Sequence, residues 1–174
     1  MSSGELLTRL TIWLALGGYV IGAGMLLFAQ HQPRWRLRAR WAWTFGCAFF
    51  VAHVVCAFSS FHHWSHAEAY RETARQTGEM TGIHWGGGLF LNYLFGVAWL
   101  ADVSWWWLAP ESLARRSSLL AGCWHGFAFF MVFNGTVVFG NGPVRWFGLL
   151  ISASLLGLWM RKRNLESSSA PPVS

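Results

Sequence analysis

Five stretches of the chain run almost without polar interruption, and they are separated by short polar segments. They cover residues 10–29, 41–61, 86–108, 119–139 and 144–160. Each approaches the roughly 20 apolar residues that a helix needs to cross a hydrocarbon core. A helix satisfies its own backbone groups, which lipid cannot do, so the pattern predicts an all-α integral membrane protein, a bundle of about five transmembrane helices. The connections are HQPRWRLRAR, a long polar segment around FHHWSHAEAYRETARQTGEMTGIHW, APESLARRSS and the tight GNGP turn. Residues 1–160 then form a single multi-pass domain. The polar, Ser- and Pro-rich residues 161–174 are expected to be a disordered cytoplasmic tail.

The long polar segment has a pattern of its own. Ser65 followed by Glu68 fits a capping box, in which side chains at a helix start accept the unpaired backbone donors. It predicts a short outer surface helix over residues 66–78, with Glu68–Arg71 and Glu72–Arg75 as weak pairs across its turns. TGIHWGGG returns the chain to the apolar phase, and its glycines suit close backbone packing.

Composition sharpens this picture. With 54% hydrophobic, 17% aromatic and only 11% charged residues, the chain lies far from a soluble domain. The net charge of +6 is spread in short clusters between apolar runs, which points to lipid headgroups and away from nucleic acid. Arg34, Arg36, Arg38, Arg40, Arg115, Arg116, Arg161, Lys162 and Arg163 fall on one side of the predicted spans. Only Arg9, Arg71, Arg75 and Arg145 fall on the other. Basic residues collect on the cytoplasmic side, so the expected setting is the bacterial inner membrane with the N-terminus outside and the C-terminus cytoplasmic. The tryptophans agree: Trp35, Trp41, Trp43, Trp105, Trp106, Trp107 and Trp159 fall at inner span ends, and Trp13, Trp64, Trp85 and Trp146 at outer ones. Cys47, Cys56 and Cys123 lie in apolar runs without C-x-x-C spacing and read as small buried residues.

Polar residues inside the spans are the next candidates, because ionisable groups among lipid tails turn toward the bundle interior. Asp102 and His125 fall at matching depth on adjacent antiparallel spans, as do Asn92 and Asn134 toward the other end. The third and fourth spans are therefore expected to touch through Asp102–His125 and Asn92–Asn134. Gly18 with Gly22, and Gly122 with Gly126, have the G-x-x-x-G spacing that lets helices approach closely. Bulk at Gly122 or Gly126 is accordingly expected to destabilise the fold.

For cofactors the histidines decide. His62, His63, His66 and His84 crowd the outer segment, where imidazoles at helical spacing suit zinc or copper. His53 and His125 are the two intramembrane histidines that a bis-His haem would need, although their depths differ. Phosphate loops, nucleophile elbows and H-E-x-x-H are missing from the sequence, so catalysis is not indicated. The expected role is an accessory or structural subunit of a membrane assembly, in contact with lipid and with other membrane subunits or further copies of itself. The alternative is a small metal- or haem-binding membrane protein with an outer-face histidine site.

Overall fold

A computed structural model describes residues 2–28 and 33–168. Helix accounts for 87% of the structure, and there is no strand among the described residues. Helix α1 spans Ser3–Phe28, α2 Pro33–Ser60, α3 His66–Thr81, α4 Gly88–Leu108, α5 Pro110–Ala114, α6 Ser118–Phe133 and α7 Pro143–Ser168. A π-helical turn, Asn134–Val138, prolongs α6. Four helical stretches are long and apolar enough to cross a membrane: Ser3–Leu27, Arg34–Ser60, Ser118–Val138 and Pro143–Arg161. The remaining expected span, residues 86–108 (α4), has the length, but Asn92 and Asp102 dilute its apolar run.

Local chemistry sets the boundaries. A capping box that the hydropathy pattern passes over starts α1 early: Glu5 N–H donates to Ser2 Oγ (3.2 Å) and Ser2 N–H returns a bond to Glu5 Oε2 (3.0 Å). Proline is well placed at the start of a helix, and α2 begins at Pro33, so the arginines from Arg34 to Arg40 ride on its first turns instead of forming a loop. Ser65 caps α3 by accepting from Glu68 N–H at 3.2 Å, as its spacing predicts. Gly82, at φ 77°, closes the helix in the left-handed conformation. The break expected at Met160 does not occur, because residues 161–168 contain neither Gly nor Pro and α7 continues to Ser168. Residues 169–174 of the expected tail lie outside the described residues.

α1 and α2 form an antiparallel hairpin with their backbones in close contact. A Cβ on Gly18 would sit 2.5 Å from Gly46 Cα, and one on Gly22 3.1 Å from the Trp43 ring. The first glycine pair thus packs within the chain. The second does not: a Cβ at Gly122 or Gly126 meets nothing within 4 Å, so the expected clash on enlarging either residue is absent. α4 packs on α2, α6 on α4, and α7 on α1 and α6. The core where they meet is aromatic. Trp43 lies 5.5 Å from Tyr19 and 5.3 Å from Trp99, and Phe95 lies 4.9 Å from Phe50 and 5.1 Å from Trp99, all in tilted or edge geometries that ring quadrupoles favour. Trp43 is 1% exposed, packed into this core at the end of the bundle that carries Trp41 and Trp107. α3 rides on the end of α4 with Ala69 as its buried anchor. On its open side Arg75 pairs with Glu72 (2.6 Å) and with Glu79.

Candidate functional site

The site is built around Asp102, a carboxylate on α4 that is 8% exposed. α4 ends at Leu108, and Pro110 opens the five-residue helix α5, which turns the chain back toward the bundle. The next turn carries Arg116, and Ser117 then caps α6 by accepting from Leu120 N–H at 3.2 Å. This reversal folds Arg116 inward. Its Nη1 donates to Asp102 Oδ1 at 2.7 Å, while Trp43 Nε1, from α2, donates to Oδ2 at 2.9 Å. Each carboxylate oxygen therefore has its own donor, which a buried charge requires.

Arg116 also reaches α6, with Nη2 3.1 Å from His125 Nε2. A guanidinium only donates, so Nε2 is the acceptor, and His125 is the neutral Nδ1–H tautomer. The His125 ring stands edge-on to Trp43 at 5.8 Å. Asp102 and His125 are thus brought together through Arg116, a residue that charge counting alone assigns to a solvated loop. The missed signal is charge balance: a deep acid needs a counterion, and Arg116 is at the same end of the same helix pair. These groups line a cavity of about 260 Å3, with Arg36, Leu26 and Trp106 among its other walls. Next to it Trp107 Nε1 donates to Thr44 Oγ1 at 2.9 Å, and the Arg40 guanidinium lies 3.4 Å over the Trp107 ring.

The two asparagines do not meet in this way. Asn134 turns its amide onto its own helix, donating to Phe130 O at 2.8 Å, and Asn92 is exposed. His53 Nδ1 lies 3.0 Å from Thr8 O, so it donates and ties α2 to the start of α1. His125 shares its cavity with Leu26, near the other end of α1. Eighteen helical residues separate Thr8 from Leu26, about 27 Å along the axis, so His53 and His125 cannot ligate one haem.

The four histidines of the long polar segment are separated by backbone conformation. α2 stops at Ser60, and His63 (φ 45°) and Trp64 (φ 58°) turn the chain through the left-handed region before Ser65 caps α3. His62 and His66 consequently share no helix face. His62 lies against Phe58 with ring centroids 5.5 Å apart, and His66 Nδ1 is 3.1 Å from Tyr93 Oη. His84 packs on Gly78, where an added Cβ would fall 2.7 Å from its ring. Met80 is exposed. Among the described residues no three His, Cys, Asp or Glu side chains gather into a group able to hold a metal. The zinc or copper site expected at His62, His63, His66 and His84 is therefore not assembled.

No protein-family model matches the chain, and neither a curated protein nor a solved structure matches it significantly.

Proposed function

We propose that the chain is a multi-pass protein of the bacterial inner membrane that serves as an accessory or structural subunit. It crosses five times, with α4 as the third crossing, its N-terminus outside, its C-terminus cytoplasmic and α3 on the outer surface. The observation that carries this reading is the inverted distribution of polarity. At most 28% of the most apolar window in each of the four long apolar helices is buried. Large residues such as Leu6, Ile21, Val97, Leu119, Phe147 and Leu150 face outward. The one deep acid, Asp102, is turned inward and paired. Water would not tolerate that surface, whereas lipid covers it at no cost.

The paired groups of the cleft tie α2, α4 and α6 together, as expected of a register-setting polar network in a membrane bundle. A structural role is further supported by α6, where Gly122 and Gly126 leave backbone uncovered on an exposed face that includes Cys123. Membranes from the native host, solubilised in digitonin and separated by native electrophoresis, are expected to show the chain in an assembly larger than its 19.6 kDa monomer. Oxidation of a Cys123-only variant should link it to a neighbour, and Gly122→Leu should abolish both signals. A monomer under these conditions refutes the subunit role. Release of the chain by alkaline carbonate refutes the membrane placement.

A further inference from the structure

The cavity beside Asp102 has a charge imbalance that clamping helices does not use. Two arginines, Arg36 and Arg116, line the cavity with one acid, Asp102, and the His125 imidazole adds no charge because its Nε2 accepts from Arg116. Of the five N–H groups on Arg116, the bonds to Asp102 and His125 occupy two. Arg36 is exposed, on the first turn of α2, and Ala121, on the first turn of α6, forms part of the same wall. Two helix N-termini, each with a positive macrodipole end, therefore border the cavity.

We propose that this cleft binds a phosphate-bearing anion, with the headgroup phosphate of an anionic phospholipid as its first source and inorganic phosphate as the other. Planar guanidinium forks match phosphate oxygens in geometry and charge. The location favours the lipid. The cleft lies at the end of the bundle that carries Trp35, Trp41 and Trp107, the level where indoles and headgroups meet. Leu26 and Trp106 supply an apolar wall for the glycerol and the first methylenes of an acyl chain. The lipid source rests on the membrane placement proposed above, and the phosphate chemistry does not.

The test uses the full chain, purified in detergent and delipidated. Native mass spectrometry with phosphatidylglycerol and with phosphatidylcholine gives relative affinities. Thermal shift with inorganic phosphate against chloride at equal ionic strength forms the second arm. Arg36→Gln removes a cleft charge, and Arg115→Gln removes the same charge from the same end outside the cleft. Both variants keep the Asp102 network, and unchanged unfolding temperatures without ligand check this. Phosphatidylglycerol is expected to bind more tightly than phosphatidylcholine, and Arg36→Gln to weaken it about fivefold while Arg115→Gln leaves it unchanged. If only inorganic phosphate binds, and Arg36→Gln abolishes that, the site stands with a soluble anion as its ligand. The proposal is overturned if neither phosphate source is preferred, or if Arg36→Gln binds like the parent. Carbonate extraction is scored separately: release refutes the membrane placement while leaving the phosphate arm valid, and retention with both arms negative refutes the cleft alone.

Discussion

Replacing Arg116 by leucine isolates the energetics of the Asp102 network. The pair is poorly exposed, 16% for the Arg116 side chain and 9% for Asp102, so the weak value of a surface ion pair does not apply. Removing one partner of a buried pair costs about 3–5 kcal/mol, because the remaining charge is stranded. The adjoining cleft offers Asp102 some relief, which places Arg116→Leu near the lower limit, about 3 kcal/mol. Asp102→Asn keeps an acceptor for Trp43 Nε1 but loses the charge-assisted bond, a cost of about 2 kcal/mol. In the double variant no carboxylate is stranded, so its cost should stay at about 3 kcal/mol and not the sum of the two, a coupling of about 2 kcal/mol. Unfolding in detergent, followed by tryptophan emission against added dodecyl sulfate, yields these free energies. In thermal scans Arg116→Leu should unfold on the order of 10 °C early. Additive costs, or an Arg116→Leu penalty below about 1 kcal/mol, would show that the pair is held no more strongly than one on the surface.

The two glycine pairs make opposite predictions. Gly18→Ala drives a Cβ to 2.5 Å from the Gly46 backbone and should cost about 1–3 kcal/mol, whereas Gly122→Ala meets open space and should be neutral or stabilising by up to about 1 kcal/mol in the isolated chain; equal effects in unfolding scans would contradict the packing described. On α3, the hydrogen bond from Arg75 holds the Glu72 carboxyl down from its ordinary 4.5 to about 2. A depressed carboxyl stabilises above its unfolded value, and that contribution is lost as pH falls, so amide protection of α3 should decline between about 4.5 and about 2 in the parent. Glu72→Gln should lack this acid step, and high salt should shrink it, since the pair is solvent-exposed; an unchanged step in the variant assigns it to other groups. His53→Ala removes the bond to Thr8 O and should speed hydrogen exchange in the first turns of α1, with α6 unaffected.

Hydropathy made the helices legible because an apolar run of about 20 residues has few alternatives to helix. Their ends were less legible where capping opposed composition. Ser2 and Glu5 begin α1 well before its apolar run, and Pro33 starts α2 amid arginines. The proximity of Asp102 and His125 could be read from equal depth on antiparallel helices. Arg116 could not, because its inward turn depends on α5, five residues with no periodicity to detect. The histidine cluster misled for the opposite reason. Nearness in sequence implied convergence, but the left-handed pair at His63 and Trp64 sends the rings to different neighbours; histidine is enriched at positive φ, but tryptophan is not, and a single His among four does not mark the turn. The depth mismatch of His53 and His125 was visible in residue counts, and the α1 hairpin enlarges it.

The distribution of contacts between α2 and α4 has a consequence for synthesis. α1 and α2 meet through glycines close in sequence, so on the proposed membrane placement this hairpin can assemble before the rest of the chain leaves the ribosome. Trp43 then waits with its indole N–H unpaired until Asp102 arrives, and Asp102 waits for Arg116. α4 is the helix least suited to enter lipid alone, and it is followed within a few residues by the arginine that neutralises it and preceded by the hairpin that receives it. In a translocon insertion assay, α4 placed behind α1 and α2 and ahead of α5 should be retained more often than α4 alone, and Arg116→Leu should reduce that gain. On the proposed placement the order of the helices in the gene doubles as an assembly schedule, in which each polar group would meet lipid only until the next segment emerges.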